Sequence, residues 1–143
     1  DYPDAENQID TSIINRAGET FDLTSKYQSF LAVQYSFEID VIDVADTTYL
    51  NGWLTPRLEW AYRDHFHTVA PEVTAGVQRG YNLVNARLSY DFLDNRAQVA
   101  IWGKNLLDVA YFNESFAYVT TFGAVSCFYR PPLTFGGELS YRF

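Results

Sequence analysis

The side chains best suited to chemistry are Asp64-His65-Phe66-His67 and a set of polar residues recurring at every second position. Two histidines at i and i+2 on extended backbone point the same way, a minimal pair for holding a metal. No cysteine, third histidine or carboxylate stands at ligand spacing from His65 and His67, so an exposed loop pair is the simpler reading. Asp64 beside His65 also suits acid–base work. No nucleophile motif such as G-x-S-x-G accompanies it, and the chain reads as a non-enzyme without a cofactor. Acidic residues gather in two groups, Asp1, Asp4, Glu6, Asp10, Glu19 and Asp22, then Glu38, Asp40, Asp43 and Asp46. Solvated loops explain them, since no calcium-loop spacing is present. Cys127 is the single cysteine and has no partner for a disulfide within the chain.

The larger polar set is Gln34, Arg57, Glu59, Arg63, Asn85, Arg87, Ser89, Asp91, Gln98, Lys104, Glu138 and Arg142. Each alternates with apolar neighbours, and side chains of a strand point to opposite faces with period two. The clearest case is Leu133 to Phe143, LTFGGELSYRF. Phe135, Gly137, Leu139, Tyr141 and Phe143 fall on one side, with Thr134, Gly136, Glu138, Ser140 and Arg142 on the other. The polar set therefore belongs to the wet faces of strands.

Five strands are expected. Tyr27–Phe37 puts Leu31, Val33, Tyr35 and Phe37 on its oily face. Leu54–Arg63 does the same with Leu54, Pro56, Leu58, Trp60 and Tyr62. Pro56 cannot donate to a ladder and must sit at an unpaired position or a bulge. Tyr81–Phe92 and Arg96–Asn105 form a hairpin across Leu93-Asp94-Asn95. If Asp91 faces Arg96, Ser89 meets Gln98, Arg87 meets Ala100, Leu88 meets Val99 and Ala86 meets Ile101, like with like. Trp102 alone falls on the wet side, opposite Asn85. The fifth strand is Thr134–Phe143. Residues 1 to 26 read as a long polar loop, Glu38–Asn51 as an enlarged turn or small extra hairpin ending in the hairpin signal Asn51-Gly52. Asp64–Gly80 and Leu106–Pro132 read as long connections. Long connections thus follow the second and fourth strands and shorter ones the first and third, the asymmetry of membrane barrels.

The 143 residues carry a net charge of −8, which argues against a nucleic-acid partner. Tyr, Phe and Trp make up 17% of the chain, enough to furnish interfacial girdles. They fall at strand ends as Tyr35 and Phe37, Trp60 and Tyr62, Tyr90 and Phe92, Tyr141 and Phe143. No apolar run approaches the ~18 residues of a spanning helix, so any insertion is by strands. The chain begins at Asp1 without a methionine anywhere, and the expectation is the C-terminal part of a longer precursor. A soluble β-sandwich would pack the oily face into a core; a membrane barrel would turn it to lipid. Ala86, Gly103 and Gly137 on that face fill a core poorly.

The terminal strand resembles that of bacterial outer-membrane β-barrels. In order, LTPRLEWAYRD, GYNLVNARLSYDF, WGKNLLDVAYF and PPLTFGGELSYRF resemble the last four strands of TonB-dependent outer-membrane receptors, with Tyr27–Phe37 similar to the strand before them. The similarity covers roughly residues 27 to 143 and departs in its enlarged Glu38–Asn51 segment. It implies an all-β fold, the last five antiparallel strands of a roughly 22-stranded transmembrane barrel, not closed by this chain, with an N-terminal plug domain absent. It implies active import of siderophore-bound iron, cobalamin or a saccharide, powered through the TonB complex, in the outer membrane of a Gram-negative cell. Implied partners are the rest of the barrel and its plug, the TonB complex, the barrel-assembly machinery and outer-membrane lipid. The polar set would line the lumen, and Tyr141 and Phe143 would form the assembly signal. A passive porin or structural barrel is the alternative, a soluble β-sandwich binding module the third.

Overall fold

The computed structural model describes residues 6–7, 14–15, 23–39, 51–69, 76–118 and 123–143. It is all-β. In chain order the strands are β1 (Glu6–Asn7), β2 (Ile14–Asn15), β3 (Gln28–Gln34), β4 (Phe37–Ile39), β5 (Gly52–Arg63) and β6 (Phe66–His67). They continue as β7 (Val77–Gln78), β8 (Tyr81–Phe92), β9 (Ala97–Lys104), β10 (Phe112–Tyr118), β11 (Ala124–Tyr129) and β12 (Thr134–Tyr141). The main sheet has the order β12-β9-β8-β5-β3, with β4 also on β5, so its members follow chain order with the β6-β7 and β10-β11 pairs interposed in sequence. Three further pairs, β1-β2, β6-β7 and β10-β11, stand apart from it. Among the described residues no helix is long and apolar enough to cross a membrane, which bears on helical spans alone.

Neighbours in the main sheet run antiparallel. β9 pairs this way with both β8 and β12. On β5, Asp64 N–H reaches Tyr27 O while Tyr35 N–H reaches Pro56 O. Across β5 and β8, Trp60 bonds Asn82 while Gly52 lies against the Asp91 carbonyl. β3 and β12, at the two ends of the order, therefore point the same way.

Pro56 explains why the first expected strand is split. Tyr35 donates to Pro56 O at 3.2 Å, but Pro56 has no N–H to return. The ladder lapses at Tyr35-Ser36 and resumes where Phe37 faces Leu54 and Ile39 faces Gly52. Asn51-Gly52 is not the expected turn: Gly52 opens β5. A Cβ there would stand 2.2 Å from the Asp91 carbonyl, so glycine permits that close approach. Most of the expected Glu38–Asn51 turn, and most of the 1 to 26 loop, lies outside the described residues.

The β8–β9 hairpin forms with a register two residues from the expected one. Asp91 faces Gln98, Ser89 faces Ala100, Leu88 faces Ile101 and Arg87 faces Trp102. The cause is the turn: Arg96 belongs to it, its N–H bonding Leu93 O at 3.1 Å. Leu93, Asp94 and Asn95 all take positive φ, 52°, 54° and 62°. A slip of two leaves every side chain on its expected face.

The two long connections also contain ladder that alternation did not reveal. Within Asp64–Gly80, Phe66 faces Gln78 and His67 faces Val77. Within Leu106–Pro132, β10 and β11 pair from Phe112↔Tyr129 to Tyr118↔Ala124, with a bulge between Phe112 and Glu114.

Two compact units result. One comprises Asp1–Gln28, Arg63–Tyr81 and Ala110–Arg130, the other Ser29–Tyr62, Asn82–Val109 and Pro131–Phe143. The first holds what apolar core there is: Phe66 is 1% exposed, with Tyr81 and Phe112 also buried. Tyr81 and Tyr111 meet tilted by 30° with ring centroids 4.7 Å apart, and burial, then the Tyr81 phenol, pushes the Tyr111 phenol above its ordinary pKa. Phe112 N–H bonds the Gln78 side-chain oxygen, and Thr68 donates to Gly76 O and bonds the Ser115 hydroxyl. Among the described residues the only apolar side chains that the second unit buries are the small Ala97 and Ala100. Leu58 is 53% exposed, Leu139 and Phe135 each 81%.

Candidate functional site on the polar face of the sheet

Cross-strand rows build this site. Arg87, Trp102 and Gly136 form one row, Ser89, Ala100 and Glu138 the next, Asp91, Gln98 and Ser140 the third. On the opposite face the rows are Ala86-Gly103-Phe135, Leu88-Ile101-Gly137 and Tyr90-Val99-Leu139. The split between wet and oily faces is the one the period-two pattern predicts.

The polar rows are tied together by charge. Arg57 pairs with Glu59 at 2.6 Å and donates to the Gln34 amide oxygen at 3.2 Å, while Asn85 donates to the other Glu59 oxygen at 3.4 Å. Arg87 pairs with Glu138 at 2.8 Å, three strands of the sheet being spanned by that one contact. Gln98 donates to Asp91 at 2.6 Å and accepts from Arg87 at 3.5 Å. Ser89 and Ala100 are small and buried between these long side chains. Ten of the expected polar residues thus share one surface: Gln34, Arg57, Glu59, Asn85, Arg87, Ser89, Asp91, Gln98, Lys104 and Glu138. Charged and amide groups so arranged satisfy one another, with Lys104 outside the ion pairs among the described residues.

Arg63 is placed differently. Its guanidinium lies over the Phe66 ring at 3.8 Å and donates to Ser25 Oγ at 3.1 Å and Leu23 O at 2.7 Å. It clasps the Leu23–Gln28 segment, which Leu23 N–H also ties to His67 O. Arg142 follows β12, its backbone N–H bonding Arg96 O at 2.8 Å.

Within the polar surface lies a depression of about 280 Å³, lined by Arg57, Glu59, Asn85, Arg87, Trp102, Lys104 and Glu138 together with Ala86 and Gly103. Trp102 is the residue that alternation marks as out of place. Its ring lies over Gly136, where an added Cβ would come within 2.5 Å of the indole. Its N–H is taken by Glu138, and the Lys104 ammonium lies 5.3 Å from its ring centroid. The wet side thus satisfies the indole's polar edge, as a buried or half-buried Trp requires. The signal for this was the pairing of a wet-side tryptophan with a wet-side glycine, which only the register brings together.

The oily face carries a wider, apolar depression of about 1040 Å³, bordered by Tyr35, Leu58, Leu88, Ile101, Leu106 and Phe135. The strand-end aromatics behave as pairs. Tyr35 and Phe37 stack at 6.1 Å, Tyr90 and Phe92 at 5.4 Å, and Tyr141 meets Phe143 edge-on at 5.3 Å. All three pairs lie at the short-turn end of the sheet. Trp60, near the opposite end, donates its N–H to Asn82 at 3.0 Å.

His65 Nδ1 lies 3.0 Å from Asp64 Oδ1, His67 sits in β6, and among the described residues no three metal-ligating side chains converge. His67 Nδ1 is enclosed without a hydrogen-bond partner among the described residues. No family model, curated protein or solved structure matches the chain.

Proposed function

We propose that this chain is the last part of the wall of an outer-membrane β-barrel importer of the TonB-dependent kind. Its oily face meets lipid and its polar face lines the lumen. One observation carries the reading: the described residues are all-β and leave the apolar face of the main sheet exposed while its polar face is knit by ion pairs. A soluble sandwich does the reverse, burying the apolar face and leaving charges apart on the surface. Hydrocarbon would cover the apolar face that the described residues leave exposed, and paired charges suit a lumen wall. The three aromatic pairs at the short-turn end, with Trp60 near the other end, serve as girdle residues. β3 and β12 take strands from the remainder of a roughly 22-stranded barrel. Import of a scarce nutrient and coupling to the TonB complex follow from the resemblance of the ordered strands.

A nitroxide scan along β12 tests this, in a Cys127→Ser background and in the protein's own membrane. Labels at Phe135, Gly137, Leu139 and Tyr141 are expected to collide with dissolved oxygen. Labels at Glu138 and Ser140 are expected to collide with a water-soluble nickel chelate. Uniform chelate access on both faces, or burial of the odd positions from both reagents, refutes the membrane wall.

A further inference from the structure

The depression around Trp102 has unequal charge. Three cations line it, Arg57, Arg87 and Lys104, against two carboxylates, Glu59 and Glu138. Each arginine is neutralised by its own glutamate, at 2.6 Å and 2.8 Å. Lys104 lies within electrostatic reach of both glutamates yet makes an ion pair with neither among the described residues. It is exposed and stands 5.3 Å from the Trp102 ring centroid, held by the ring's negative face. In a chain of net charge −8 this is a local surplus of one positive charge.

We infer that the depression is a subsite for a small soluble monoanion, a carboxylate or equivalent oxyanion, held by Lys104 beside Trp102. The stoichiometry follows from the pairing: one cation is left over, so one negative charge completes the set. A multiply charged ligand would have to break an arginine–glutamate pair. The space, about 280 Å³, sits at the lower end of small-molecule pockets and admits a compact solute. This rests on the barrel reading only in that the same face then lines a solute path, and the nitroxide scan tests that part separately.

Iodide, a monoanion that quenches indole emission, is the probe. With Trp53→Phe and Trp60→Phe, Trp102 is the chain's one remaining indole, and neutral acrylamide reports its bare accessibility. Lys104→Gln is expected to lower iodide quenching about threefold to fourfold, the Boltzmann factor for a unit charge at 5.3 Å in water. Acrylamide quenching should stay unchanged, Lys104→Arg should keep the iodide effect, and acetate should compete with iodide in the parent but not in Lys104→Gln. Equal iodide quenching in parent and Lys104→Gln overturns the subsite. So does a parallel change in acrylamide quenching, which would mark Lys104 as a packing residue.

Discussion

Gly136 has no side chain, and Trp102 lies in the space where one would stand. An added Cβ would meet the indole at 2.5, 2.9 and 3.1 Å, ring atoms with no freedom to bend away. Gly136→Ala is therefore expected to cost about 1–3 kcal/mol, the usual range for overpacking. Made in a Trp102→Ala background the same change should cost far less, and a double-mutant cycle on thermal unfolding in detergent reads the difference. Additive costs would mean the ring is not seated on the glycine. Asn105 shows another residue-level device. It takes φ 51°, its amide nitrogen donates to Val109 O and Pro131 O, and its oxygen accepts from Val109 N–H. Trp102 was visible in the sequence because it broke the alternation. Asn105 was not, since its bonds go to backbone groups that no side-chain pattern encodes.

At the scale of the element, period two was a reliable guide wherever one face is oily and the other wet. β8 runs from Tyr81 to Phe92 as expected, and β12 starts at Thr134. β10 and β11 escaped notice because they invert the usual rule. Their inner face carries small residues, Ser115 facing Cys127, while Phe116 and Phe128 stand exposed on the other side, edge to face at 5.7 Å. A bulge after Phe112 breaks the phase as well. The β8–β9 register escaped for a different reason. Three consecutive left-handed residues make a longer turn, and hydrophobic pattern cannot distinguish registers two residues apart. Ser89→Cys with Ala100→Cys, in a Cys127→Ser background, should close a disulfide on mild oxidation, because directly opposed Cα atoms lie within the ~4.4–6.8 Å such a bond needs. Ser89→Cys with Gln98→Cys should not, as a diagonal pair sits about 7–8 Å apart. Bridging by the second pair, and not the first, would restore the register expected from sequence.

For the molecule as a whole, the exposed apolar face decides behaviour. Leu31, Val33, Leu58, Ile101, Phe135 and Leu139 are all more than half exposed. Contiguous apolar surface beyond a few hundred Å² is uncommon on soluble monomers. Residues 1–143 expressed alone are expected to need detergent, and size exclusion without it should give aggregate. A sharp, soluble monomer peak would count against lipid as the missing cover. Fold class and facing were legible because they follow from side-chain alternation. The polar depression was legible as a list of residues and not as a place, because contacts such as Arg87 with Glu138 depend on which strands the chain lays side by side.

Direction has its own arithmetic. The main sheet's outermost members, β3 and β12, travel the same way, since an odd series of alternating ribbons begins and ends alike. Copies of this chain set in a ring would meet seam to seam with parallel strands, each joint departing from the rule inside every copy. A cylinder that reverses at every step would demand an odd-numbered complement whose outer strands run the opposite way, which copies repeated in one orientation do not supply.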